Sequence, residues 1–292
     1  MVGAAPRVAT IGDNVVDRYV ERGVMFPGGN AVNVAVHIRR LGVASTYVGA
    51  VGTDHAGRVV LDALRSESVD TTAVRVVEGP NAAAEVRVVD GNRVFGRGTH
   101  GVSVFDPSPE ELALLTTHDI VHTGECSDLE RHLPDLQRAA RLLSYDFSER
   151  PWDYVEDLAP HVDLAILSLP HGRPDVAAET AERVRALGPR IVVVTLGATG
   201  ALLHDGEIHL APAGTGPIVD TLGAGDALIA RLLVGLSTGE AHEVTLRAAT
   251  EYASATCATF GAFGHEAPID GGDVPPAVSS SPTTASEGRE PR

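Results

Sequence analysis

The chain has 292 residues, and its 23 basic side chains are all arginine, with no lysine anywhere. A P-loop lysine, a Schiff-base lysine and a lysine general base are thereby excluded, and ordinary pyridoxal chemistry with them. A net charge of −16 argues against nucleic acid or an anionic membrane surface as a partner.

Hydrophobic residues make up 43% and charged residues 21%, which is globular usage at a length suited to one large domain. The Ala-, Val-, Gly- and Arg-rich text reads as G+C-rich coding habit. Cys126 and Cys257 form neither a disulfide framework nor a zinc motif and read as small buried hydrophobes. The N-terminal residues lack the pattern of a signal peptide, and no apolar run approaches the ~20 residues of a membrane helix. A soluble, cytoplasmic protein is expected.

Taken in order, residues 8–11 predict a strand that stops at Gly12-Asp13-Asn14. After Pro27-Gly28-Gly29, Val32, Ala35, Val36 and Ile38 fall at helical spacing, with Leu41-Gly42 as the stop. Residues 47–51 predict a strand and 54–64 the helix after it. Strands follow near 120–121, 142–147, 164–167 and 191–196, separated by helices near 129–141, 151–159 and 175–187. Such alternation means βαβ units and a mostly parallel sheet with helices on both faces. Two stretches break the rhythm. Residues 15–25 carry no helix pattern, and 83–97 read as a β-hairpin with its turn at Asp90-Gly91-Asn92, so a small second sheet is expected. Residues 271–292 are rich in Pro, Ser and Thr and read as a disordered tail.

Two motifs carry chemistry. In Asp220-Thr221-Leu222-Gly223-Ala224-Gly225-Asp226 the glycines let backbone N–H groups converge where an apolar helix starts. Such a helix start binds anions, because its first N–H groups are unpaired and the dipole adds positive charge. Asp226 in the first turn suits removal of a proton from an attacking hydroxyl, although the same segment also reads as a turn with a favourable first-turn Asp. A dinucleotide fingerprint fits poorly, since its third glycine is missing and the motif lies late in the chain. In Gly28-Gly29-Asn30-Ala31-Val32-Asn33 the glycines permit close approach to a helix start. Asn33 there reads either as a hydroxyl-binding amide or as a satisfied core or capping residue.

In this order and spacing the two motifs resemble the signatures of the ribokinase-like (PfkB) carbohydrate kinases. Gly28, Gly29 and Asn33 match a GGxxxN pattern, 220–226 match DTxGAGD, and 194–201 are similar to the family's nucleotide loop. The resemblance covers about 5–270. It implies a three-layer α/β/α sandwich with a β-sheet lid, made by strands within 13–27 and 83–105 of a kinase domain spanning 1–270. It also implies ATP and Mg²⁺ as cofactors, with K⁺ in addition near Asp220 and the loop 261–264, and a homodimer through the lid.

By the same resemblance Asp226 is the base, and Gly223, Ala224 and Gly225 form the anion hole. Asp13, Asp17, Gly29 and Asn33 read the sugar, and Thr195, Gly197, Gly200 and Gly225 the nucleotide. The family's Asn-x-x-Glu segment is altered, with His171 at the Asn and Asp175 as a displaced acid. Several stretches, among them 11–17, 93–96, 145–148 and 261–264, are similar to fructosamine kinases of the fructoselysine 6-kinase type. That makes Arg97 and Glu125 candidates for the amine-bearing half of the acceptor, and His122 a residue near the site. Ribose, fructose or adenosine as acceptor remain open, as does a sugar-binding regulator of the same fold.

Overall fold

The computed structural model describes residues 5–89 and 92–269. The expected tail and the hairpin turn at Asp90-Gly91 lie outside these residues. The chain runs β1 (Arg7–Ile11), β2 (Val15–Tyr19), β3 (Val24–Gly28), α1 (Asn30–Arg40), β4 (Ala44–Gly52), α2 (His55–Ser66) and β5 (Val74–Val77). It continues through β6 (Ala83–Val89), β7 (Asn92–Thr99), α3 (Pro109–Leu115), β8 (Ile120–Gly124), α4 (Leu133–Ala139), β9 (Leu143–Ser148) and α5 (Trp152–Leu158). The remainder is β10 (Leu164–Ser168), α6 (Pro174–Arg185), β11 (Ile191–Thr195), β12 (Ala201–His204), β13 (Ile208–Ala211), α7 (Ala224–Thr238), α8 (His242–Thr256) and β14 (Ala267–Pro268).

Nine strands form the main sheet in the order β13-β12-β11-β10-β9-β8-β1-β4-β5. Only β12 and β13 pair antiparallel to their neighbours. The pleat sorts side chains between two cores. Ala9 and Ile11 of β1 pack with Leu133, Leu136, Val155, Ala177 and Val184 from α4, α5 and α6. Val8 faces the other way, toward Val34 and Ile38 of α1 and Leu232 and Leu246 of α7 and α8. The three-layer α/β/α arrangement expected from the sequence is thus present.

The lid is also present, as a five-stranded sheet in the order β14-β3-β2-β6-β7. β2 pairs antiparallel with β3 and parallel with β6, and β6–β7 is the expected hairpin. From β1 the chain first builds β4 and β5 on one side and then β8 to β11 on the other. The order therefore reverses between β1 and β8, and ligands of open α/β sheets bind beyond the carboxyl ends of strands at such a reversal. Asp13, Glu125 and Asp146 all sit at those ends.

Candidate active site

The second motif folds as the sequence suggests. Gly223 takes a left-handed conformation, φ 73°, and starts α7. A Cβ there would stand 2.5 Å from Ala262 Cβ, so only glycine fits between the turn and the 261–264 loop. Gly225 differs, because a Cβ on it would meet nothing within 4 Å. Its side faces open space, and its N–H belongs to the unpaired first turn. The Asp220 carboxylate ties this region together. It accepts from Leu222 N at 2.9 Å, Gly261 N at 3.0 Å and the lid residue Tyr19 Oη at 3.1 Å.

Asp226 follows one residue later and is gripped by two amides of α1. Asn33 Nδ2 donates to Oδ2 at 2.6 Å, and Asn30 Nδ2 donates to Oδ1 at 2.9 Å. Burial pushes the Asp226 carboxyl up to about 6, with the Asn33 and Asn30 bonds opposing and the Asp13 charge adding to the rise. A carboxylate tuned toward neutral pH beside a helix start is a competent proton acceptor.

Asp13, expected at the sugar, is engaged at the head of α1. Its oxygens accept from Asn30 N at 2.8 Å, Ala31 N at 3.3 Å and Ser127 Oγ at 3.0 Å, so from the end of β1 it caps α1. Gly29, φ 105°, permits this, since a Cβ would lie 2.7 Å from Asn14 Cα and 2.9 Å from Asp13 Oδ2. Asp17 is buried on β2, and its Oδ2 would stand 2.7 Å from a Cβ on Gly28. It therefore lies over the double-glycine turn. Arg97 is exposed, where the β6–β7 register shifts.

Thr195, Gly197, Gly200 and Gly225 line one cavity of about 450 Å³. Its far wall comes from Thr250 and Ser254 of α8, which the sequence does not single out, and from Cys257 just past its end, expected only as a small buried hydrophobe. The Cys257 carbonyl also accepts from Val219 N at 2.8 Å and Asp220 N at 3.0 Å, joining that wall to the motif.

Three further residues complete the site: His122 and Glu125, which the sequence marks as candidates, and Asp146, which it does not. Asp146 Oδ2 accepts from Asn30 Nδ2 at 3.1 Å, and His122 lies 3.0 Å from both Asn30 Oδ1 and Ser144 Oγ. Burial raises Asp146 to about 7, with a backbone bond from Ser148 opposing and the Asp226 charge reinforcing the rise. Glu125, half-buried beyond β8, is paired with Arg150 at 2.6 Å.

The donor set does not fit a protein-held metal cage. Among the described residues no three His, Cys, Asp or Glu side chains gather around one point. Asp175 is exposed, pairs with Arg173 and does not line the cavity, and neither does His171.

A carboxylate at a glycine-rich helix start, a neighbouring cleft and a β lid over a doubly wound sheet define a phosphotransferase of the carbohydrate-kinase class. Residues 4–267 match the model of the pfkB family carbohydrate kinases, and the chain belongs to that family. It is 36% identical over 276 residues to fructosamine kinase FrlD of Bacillus subtilis (strain 168), covering 91% of this chain and 97% of the relative. It is equally 36% identical over 261 residues to fructoselysine 6-kinase of Escherichia coli (strain K12), covering 88% and 99%. In fold it is similar to the Arabidopsis thaliana ribokinase complexed with ribose and ATP, with TM-score 0.77 at 20% identity and 89% and 95% of the two chains covered. A further neighbour is the Salmonella enterica aminoimidazole riboside kinase, with TM-score 0.72 at 21% identity over 88% and 95%. Among the described residues no helix is long and apolar enough to cross a membrane.

Proposed function

We propose that this chain transfers the γ-phosphoryl group of MgATP to the 6-hydroxyl of a fructosamine, a fructose unit joined through C1 to an amine such as that of lysine. The observation that carries this is Asp226, held by two amides at the start of α7 beside the cavity that Gly225 opens. The two relatives at 36% identity support the fructosamine as acceptor.

In this reading the hydroxyl proton passes to the Asp226 carboxylate, and the hydroxyl oxygen forms a bond to the γ-phosphorus. The bond from that phosphorus to the β–γ bridging oxygen breaks, and ADP leaves. Charge developing on the transferred group meets the N–H groups of Gly223, Gly225 and Asp226, already oriented before the reaction, while that of Ala224 donates to the Thr221 carbonyl at 3.2 Å and shapes the turn. Thr195, Gly197 and Gly200 seat the nucleotide, and Asp17 and Asn33 the sugar. We assign Asp13 to capping α1 and Asp220 to bracing the loop and lid. To the amine-bearing end we assign Glu125, paired with Arg150, and Arg97 on the lid. The edge strand β7 is the surface we assign to a second copy, and we assign the ATP-dependent reaction to the cytoplasm.

A coupled ADP-release assay tests this against fructoselysine, other amino-acid fructosamines, free hexoses, ribose and adenosine. Turnover is expected with fructosamines foremost. Turnover confined to a free sugar or nucleoside overturns the acceptor, and calorimetric binding without ADP release overturns the kinase.

A further inference from the structure

Asn30 opens α1 with every polar group engaged. Its backbone N–H donates to Asp13, its Nδ2 donates to Asp226 and Asp146, and its Oδ1 faces His122 Nε2 at 3.0 Å. Ionised carboxylates only accept, so the amide nitrogen must face the acids and the amide oxygen the imidazole. An amide oxygen likewise only accepts, which puts the His122 proton on Nε2. Nδ1 then accepts from Ser144 Oγ at 3.0 Å. Burial drives the His122 imidazole down to about 3, so it remains neutral at physiological pH and the chain keeps one direction.

The chain is built on rigid elements. His122 stands beside Ser144 in the β8–β9 register and beside Thr10 of β1. Asn33, the other amide on Asp226, is held at its nitrogen end alone, because its buried Oδ1 has no hydrogen-bond partner. Asn30 is therefore the directional anchor of the base. Resting on the assignment of Asp226 as base, we propose that Ser144, His122 and Asn30 form a positioning chain that fixes the Asp226 carboxylate toward the acceptor hydroxyl, with Asp146 as the second anchor of the Asn30 amide. Each works through its neighbour, and supports of this kind hold a reacting group within the fraction of an ångström that catalysis requires.

The charged groups around Asp226 sharpen the test. Asp13 beyond β1, Glu125 beyond β8 and Asp146 on β9 are acids, Arg150 pairs with Glu125, and His122 is neutral. The Asn30 bond is one of two that hold the Asp226 carboxyl down against burial. Loosening Asn30 must therefore move the acid limb of the rate profile to higher pH.

The experiment measures kcat, acceptor KM and the pH profile of kcat for His122→Leu, His122→Gln and Ser144→Ala, with Asp226→Asn in parallel. His122→Leu is expected to lower kcat about 10- to 100-fold, the cost of a slightly misplaced reacting group, with acceptor KM near the parent's and the acid limb shifted upward. His122→Gln, whose amide N–H replaces the Nε2 donor, should recover most of the rate. Ser144→Ala should move both readouts the same way by less. A parent-like His122→Leu enzyme, or a lower kcat with an unmoved limb, overturns the proposal while an inactive Asp226→Asn leaves the base assignment standing. If His122→Leu fails to fold, Ser144→Ala decides, and its showing the parent's kcat and limb overturns the proposal. An active Asp226→Asn enzyme removes the base itself, and the positioning chain with it.

Discussion

Asp226 carries opposite burdens for folding and for chemistry. Its folded pKa of about 6 stands above the ordinary 3.8, so the folded state holds the proton more tightly than the unfolded chain does. Stability from this group is therefore full below about pH 4 and is lost as pH rises through about 6. Asp226→Asn should lower kcat about 10²- to 10⁴-fold, as loss of a general base does. The same variant should melt higher than the parent at pH 8 and lose that advantage near pH 4. A lower melting temperature at pH 8 would contradict the burial cost. The two glycines before it separate structure from chemistry in the same way. Gly223→Ala meets a positive φ and Ala262, and should cost about 1–3 kcal/mol of stability by denaturant titration. Gly225→Ala has room and should fold at least as well, yet its methyl enters the cleft and should raise KM for ATP. Parent-like KM in Gly225→Ala would remove the nucleotide from that wall. Asp226, Gly223 and Asn33 were legible because a helix-start motif states its own geometry. Asp146, Asn30 and Ser144 were not, because they meet only through the β8–β9 register and the packing of α1 on α7.

At the scale of elements, legibility followed contrast. β1, β4, β8, β10 and β11 are apolar runs bounded by turns, and α2 begins where Asp54 signals a start. The β12–β13 hairpin closes on Asp205-Gly206, a turn signal outside the 194–201 segment that resembles a nucleotide loop. α8 escaped for a physical reason. Its buried positions include Thr245, Ala249, Thr250 and Ala253, small residues that pack close to α7 and leave a weak apolar stripe. Asp54 illustrates how one element fixes another. Its Oδ1 accepts from Gly57 N at 2.9 Å to cap α2, and its Oδ2 accepts from Asn81 N at 3.0 Å, just ahead of the lid strand β6. Asp54→Ala should cost about 1–2 kcal/mol in urea unfolding, the usual price of a lost cap or slightly more. Because Asp54 lies away from Asp226 and the cleft, kcat should stay near the parent's. A large fall in kcat without loss of stability would mean that the base of the lid governs turnover.

For the whole molecule, the missing lysines and the charge of −16 set the terms on which substrates arrive. In the proposed mechanism the anion-binding surface for ATP is backbone N–H at the α7 start, a short-range device that does not offset the net field at a distance. Asp13, Asp17, Glu125, Asp146 and Asp226 add acids at the carboxyl ends of the strands and beneath the lid. A polyanionic donor must approach against this field, whereas the protonated amine of a fructosamine is drawn by it. Salt shortens the reach of both effects, from about 30 Å at 0.01 M to about 8 Å at 0.15 M ionic strength. Over that range KM for MgATP should fall or hold steady, KM for a cationic fructosamine should rise, and KM for free fructose, if it is turned over, should not move. Steady-state kinetics at fixed pH and saturating co-substrate measure all three. A KM for MgATP that climbs with salt would mean that arginine side chains, not the backbone at the head of α7, supply the attraction for phosphate. Unchanged KM for the fructosamine would place its amine outside the acidic field, beyond the reach of Glu125 and Asp146.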